Sequence, residues 1–170
     1  MSTETRGDHY GCGQSFEKVG VRSDMNKGYS EEILDGIKNR FPEVEIKIHS
    51  QRRTYLRINH EKVYELAQYL FKEIGCRLSI ATGIDTRDGL EIIYHFSYDP
   101  AGTYYNIKTV VPKDDPKIKS LTDFLPAANW IEREIHELLG IEFLGHPNLI
   151  PLLTAEDWPE GTYPLRRDYE

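Results

Sequence analysis

RLSIATGIDTRDGLEIIYHFSYDPAGTYYNIKTVV, residues 77–111, decides the fold. Arg77 to Ile84, Leu90 to Tyr98 and Thr103 to Val111 are rich in β-branched and aromatic residues, the types that pack well on a pleated surface. Asp85-Thr86-Arg87-Asp88-Gly89 and Asp99-Pro100-Ala101-Gly102 separate them, and both are turn formers. Three strands in succession, joined by short turns, predict an antiparallel meander.

Upstream of the meander, Val63, Leu66, Ala67, Leu70, Phe71 and Ile74 recur at helical spacing, with Asn59 able to cap the segment and Gly75 able to end it. Before that helix, Val44, Ile46 and Ile48 alternate with polar residues, and after Gln51-Arg52 the alternation resumes at Thr54, Leu56 and Ile58, which reads as a hairpin. Ser30 precedes Ile33, Leu34, Ile37 and Phe41 at helical spacing until Pro42 blocks continuation. Downstream, Pro112 to Pro116 form a polar turn region. A short segment from Leu121 to Phe124 then leads through Pro126 into a helix from about Ala128 to Leu139, stopped by Gly140. Strands joined by hairpins with helices between them predict an α+β fold, a mostly antiparallel sheet with helices on one face, rather than a doubly wound parallel sheet.

Two segments stand outside this pattern. Residues 1–28 mix Gly, Ser, Asp and Lys without helical or strand period and read as an N-terminal extension; the α+β domain then runs over 29–140. Residues 141–170 carry Pro147, Pro151, Pro159 and Pro164, which remove backbone donors, and yet they hold Phe143, Leu144, Leu149, Ile150, Leu152, Leu153, Trp158 and Leu165. That combination predicts an irregular C-terminal strap, largely mobile alone and ordered in a partner's groove.

Composition narrows the function classes. A formal net charge of −7 argues against broad nucleic-acid binding, which needs a surplus of Lys and Arg. No window approaches the roughly 18 consecutive apolar residues of a membrane span, and the start lacks the pattern of a signal peptide, so a cytoplasmic location is expected. Cys12 and Cys76 are the two cysteines, too few for the four thiolates of an iron–sulfur cluster. No bound cofactor or metal is expected.

The densest polar cluster, Glu132-Arg133-Glu134 with His136-Glu137, lies on the last helix and reads as a solvated face with i,i+4 pairs. Glu132 and His136 share a helical face and form a weak alternative as a metal pair, since the position four after His136 is Gly140 and no third ligand is signposted. His146, in Gly145-His146-Pro147-Asn148, reads as a turn histidine bonded to backbone. His9 and Cys12 are spaced like half a zinc site whose other half is missing. No nucleophile, base or nucleotide loop is identifiable.

The run from Asn129 to Leu149, NWIEREIHELLGIEFLGHPNL, resembles the signature of the respiratory-chain NADH dehydrogenase thirty-kilodalton subunit family. In that family an E-R-E helix, a G-I or G-V step, an aromatic residue and G-H-P-[DN]-L follow in this order, and a later P-L-R-[KR]-[DE] is echoed by Pro164-Leu165-Arg166-Arg167-Asp168. The resemblance implies a subunit without prosthetic groups on the peripheral arm of a redox complex, packed against a large subunit of [NiFe]-hydrogenase descent and accompanied by iron–sulfur small subunits. It also implies a peripheral place on the cytoplasmic side of the cell membrane. Trp158-Pro159-Glu160-Gly161-Thr162-Tyr163-Pro164 replaces the family's common glycine-histidine before P-L-R, which is closer to the energy-converting hydrogenase branch than to complex I. A free-standing small-molecule-binding module is the alternative of another class.

On this reading the partner interface holds Arg133, Glu134, Phe143, His146, Trp158, Arg166 and Arg167. Arg133 offers a planar fork for a partner's carboxylate or for an internal salt bridge that fixes the strap. Phe143 and Trp158 are aromatic anchors, Trp130 is an anchor or a core residue, and Arg166 and Arg167 meet acidic groups or carbonyls.

Overall fold

A computed structural model describes residues 30–155 and 157–168. The N-terminal extension up to residue 28, with the spacing of His9 and Cys12, lies outside the described residues. Helix α1 covers 30–40, β1 Glu45–Ser50, β2 Arg53–Arg57, α2 Val63–Gln68, β3 Arg77–Asp85, β4 Leu90–Tyr98 and β5 Thr103–Val111. After them come β6 Lys117–Lys119, α3 Asn129–Leu139 and β7 Glu142–Leu144.

The meander forms as its sequence dictates, with β3 antiparallel to β4 and β4 antiparallel to β5. β1 and β2 make the hairpin, and β2 joins the meander by lying parallel to β5, giving the order β1-β2-β5-β4-β3. That one parallel pair follows from connectivity, because α2 and two strands intervene between β2 and β5 and return the chain to the same end.

Alternation divides the sheet into two faces. Leu90, Ile92, Tyr94 and Phe96 of β4, with Tyr105 and Ile107 of β5 and Leu56 of β2, point to the helices and are fully buried. Val63, Leu66 and Ala67 of α2, and Leu70 in the turn that continues it, meet them, also fully buried. Each Leu or Val so buried contributes about 1.5 to 3 kcal/mol, well beyond any intrinsic helix preference, so packing fixes α2. Its last turn widens to a π-turn over Tyr69–Glu73, and Gly75 at φ +80° lets Cys76 N–H reach back to Leu70 O at 2.8 Å.

α3 packs over β3 at Gly83. A Cβ there would stand 2.6 Å from Leu139 Cδ1 and 3.2 Å from Ile135 Cγ2, so the missing side chain admits the helix. Pro126 opens the approach to α3, and Gly140 ends it at φ +71°.

The structure departs from the sequence reading at Ile141 to Leu144, which belong to the domain and not to the irregular strap. β7 pairs in parallel with β6, burying Ile118 and Phe143 at its centre. Three-residue strands from distant segments carry too little period to be read in advance.

Candidate partner-docking site

α3 is amphipathic in an unusual sense, because much of its charge is buried. Glu132, Arg133 and Glu137 are all buried, which corrects the reading of this cluster as a solvated face. Each has a separate task.

Glu132 has no exposed surface; it accepts from Ser120 Oγ at 2.6 Å and from Leu121 N at 2.9 Å. Burial pushes its carboxyl up to about 7 against the lowering effect of those bonds, and Asp123 nearby adds to the rise. It therefore pins the loop before α3 to the helix. His136 turns elsewhere, its Nδ1 lying 2.8 Å from Ile141 O, so it and Glu132 have unrelated hydrogen-bond partners.

Arg133 and Glu137, one turn apart, grip the strap together. Arg133 Nε donates to Ile150 O at 3.0 Å and Nη2 to Pro151 O at 2.8 Å. Glu137 accepts the next three amides, from Leu152 at 2.6 Å, from Leu153 at 3.0 and 3.1 Å, and from Thr154. Partial burial raises the Glu137 carboxyl, but these N–H bonds outweigh it and bring it down to about 2. Five consecutive backbone groups of a proline-broken segment, which no sheet or helix could pair, are thus satisfied by two side chains.

Further along, Leu165 N–H donates to Leu138 O at 3.0 Å and Arg166 Nε to Leu139 O at 2.8 Å, closing two carbonyls at the end of α3. Arg166 also lies over the Tyr163 ring at 4.6 Å, and that ring packs against Gly140, where a Cβ would come within 2.5 Å. Arg167 N–H donates to Asp85 Oδ2 at 2.8 Å, and Lys113 pairs with the other oxygen. Burial of Asp85 is outweighed by these two partners, and its carboxyl sits below the usual range. The strap is fastened to its own domain, where a partner groove alone had been expected to order it.

The candidate residues separate accordingly. Arg133 fixes the strap by hydrogen bonds to its carbonyls, where an internal salt bridge or a partner's carboxylate was expected. Phe143 is 1 % exposed and is a core residue, so it leaves the docking surface. His146 is a turn residue: its Nδ1 accepts from Asn148 N–H at 3.0 Å and its Nε2 lies 3.2 Å from Asn129 O, while burial lowers its pKa. Glu134 is half-buried beside Trp130, Ile131 and Ile80 in a cavity of about 230 Å³. Trp158 is partly exposed, its Nε1 donating to Thr162 O at 2.9 Å. The guanidinium of Arg166 is inward, whereas Arg167 is exposed.

The sequence pointed to the strap's apolar residues as a partner surface; what it did not show is the clamp of Arg133 and Glu137 that sets their direction. With the strap's backbone turned inward, Ile150, Leu153 and Leu165 turn outward, joined by Leu144 and by Trp130, which is 64 % exposed. Exposed apolar side chains on α3, β7 and the strap make this side the candidate interaction surface. Glu137 gave no advance signal beyond its place four residues after Arg133.

Comparison with known proteins places the fold. Residues 56–170 match the family model described as the respiratory-chain NADH dehydrogenase, 30 Kd subunit. The chain is 36% identical over 143 residues to a subunit of the F(420)H(2) dehydrogenase of Methanosarcina mazei, covering 81% of this chain and 90% of the relative. It is 32% identical over 148 residues to the beta subunit of the membrane-bound hydrogenase of Pyrococcus furiosus, covering 82% and 85%. Among solved structures, a chain of the membrane-bound sulfane sulfur reductase, described as an archaeal respiratory membrane complex, superposes with TM-score 0.75 at 28% identity over 83% of this chain and 85% of that one. The Nqo5 trypsin-resistant fragment superposes with TM-score 0.60 at 25% identity, covering 71% and 99%. The antiparallel sheet, the E-R-E helix and the strap it holds, matched over this span, make the chain a member of the respiratory-chain NADH dehydrogenase 30 kDa subunit family.

Proposed function

We propose that the chain is a non-catalytic peripheral-arm subunit of a membrane-bound, ion-translocating redox complex of the energy-converting [NiFe] hydrogenase type, where it supports the hydrogenase-like large subunit and neighbours iron–sulfur small subunits. The observation that carries this reading is the preformed apolar surface of α3 and the strap, with Trp130, Leu144, Ile150, Leu153 and Leu165 outward. A subunit that presents such a surface already ordered avoids much of the entropy of folding a segment on binding, about 1 to 2 kcal/mol per residue. Arg133 and Glu137 supply that order, while Glu134, Trp158 and Arg167 stand at the rim for polar contacts. Arg166 and His146 act from beneath, by shaping the turns.

Among the described residues no helix is long and apolar enough to cross a membrane. The chain on this reading is held at the membrane through its partners, on the cytoplasmic side. A complex I type assembly is the second reading, favoured by relatives that are subunits of NADH-quinone oxidoreductase, such as that of Salinispora arenicola, 28% identical over 84% of this chain and 62% of the relative.

Hydrogen exchange on the chain alone and within the purified complex tests the proposal. Amides of Leu144, Ile150 and Leu165 gain protection on assembly if the surface docks there; unchanged exchange across α3 and the strap would move the interface elsewhere.

A further inference from the structure

The β1–β2 hairpin carries charge opposite to that of the chain. From Glu45 to Arg57 stand Lys47, Arg52, Arg53 and Arg57 against Glu45 alone, in a protein of formal net charge −7. Because Thr54 and Leu56 are buried against the helices, alternation puts Arg53, Tyr55 and Arg57 on the opposite face, with Lys47 directly across from Tyr55. Tyr104 and Ile80 are exposed on that face. Lys108 beside them is paired with Glu91 at 2.7 Å, whereas Lys47, Arg53 and Arg57 make no ion pair among the described residues.

The same face is hollowed. A depression of about 360 Å³ is lined by Arg53, Tyr55, Ile80, His95, Tyr104 and Asn106, together with Ser79. Its floor is already satisfied: Asn106 Nδ2 donates to Thr54 O at 3.0 Å, which leaves Asn106 Oδ1 to accept from His95 Nδ1 at 2.7 Å and His95 Nε2 to accept from Thr82 Oγ1 at 3.1 Å. A ligand there meets aromatic and aliphatic walls, with unpaired guanidinium groups at the rim.

We propose that this open sheet face docks an acidic polypeptide segment of another subunit of the same assembly. An apolar or aromatic side chain sits between Tyr55, Tyr104 and Ile80, and flanking carboxylates meet Arg53, Arg57 and Lys47. Guanidinium groups are suited to bidentate carboxylate pairing, and Tyr walls give contact area at small entropic cost. A continuous row of phosphates fits less well, because it has no apolar side chain to place between Tyr55, Tyr104 and Ile80. The proposal rests on the reading of the chain as a subunit, and it uses a depression that meets the α3 side only at Ser79 and Ile80, which line both.

A benzophenone side chain in place of Tyr104, in the complete complex purified from membranes, tests it. Photolysis is expected to join Tyr104's position to a segment of a sister subunit rich in Asp and Glu. In an Arg53→Glu/Arg57→Glu background, with exposed side chains and an unchanged melting temperature, the yield is expected to fall at least about fivefold while the chain still co-purifies. An adduct with lipid or nucleic acid, a yield indifferent to charge reversal, or no adduct at all overturns the proposal. Failure of the chain to co-purify with any membrane complex would instead strike the subunit reading itself.

Discussion

Replacing Glu137 with Gln is the sharpest perturbation of the strap, since it keeps shape and removes charge. The carboxylate now accepts three successive amides, Leu152, Leu153 and Thr154. A carboxamide can turn only one oxygen to them, and its NH2 then opposes at least one of the N–H donors. Bonds to a charged group contribute about 1.5 to 3 kcal/mol, and an amide left unpaired costs about 1 to 3 kcal/mol. Losing one bond and weakening the others should cost the strap about 2 kcal/mol, which is roughly a 30-fold rise in the opening constant. Hydrogen exchange reads this directly: Leu152 to Thr154 should exchange roughly 30-fold faster in Glu137→Gln, with the amides of β4 and β5 unaffected. The pH dependence has the same sign. The folded carboxyl sits at about 2, below its usual 4.5, so its contribution is complete above about 4.5 and is lost as pH falls toward 2. Equal exchange in wild type and variant would refute the clamp.

Other outcomes follow from the neighbouring groups. Glu132 behaves oppositely: with a folded carboxyl near 7, the native state binds its proton more tightly, so stability falls as pH rises from about 4.5 to 7, by about 3 kcal/mol in all. Glu132→Gln should flatten that slope in thermal unfolding, and an identical slope would show that the group titrates normally. Gly140→Ala faces both φ +71° and the Tyr163 ring, and should lower stability by about 2 kcal/mol, read as a fall in Tm of several degrees. Arg133→Ala frees the carbonyls of Ile150 and Pro151, and should weaken assembly with the large subunit by about 2 kcal/mol or more; wild-type yield of the complex would count against it.

The sheet was legible because β3, β4 and β5 are long, rich in β-branched and aromatic residues, and separated by strong turn formers. α2 was legible because its apolar spacing spans the whole segment. β6 and β7 were not, being three residues each and meaningful only once Lys117 to Lys119 lies beside Glu142 to Leu144. The charges of α3 were misread for a related reason. A carboxylate or guanidinium on a helix is ordinarily solvated, and only the tertiary position of the strap shows that Arg133 and Glu137 face backbone. Phe143 looked like an anchor because aromatic residues serve interfaces and cores alike, and burial between α3 and the small sheet decides for the core. The family motif marks the segment in which α3 holds the strap, without revealing which of its residues build that arrangement and which face outward.

One measurement bears most directly on docking through α3 and the strap. Ile150→Asp/Leu153→Asp alters two exposed side chains whose backbones are held from the other side, so the isolated domain should melt as the wild type does. Purification of the membrane complex through a tag on its large subunit should then recover the variant chain at a tenth of the wild-type amount or less, about 1.4 kcal/mol or more of lost affinity. Stoichiometric recovery would contradict the account.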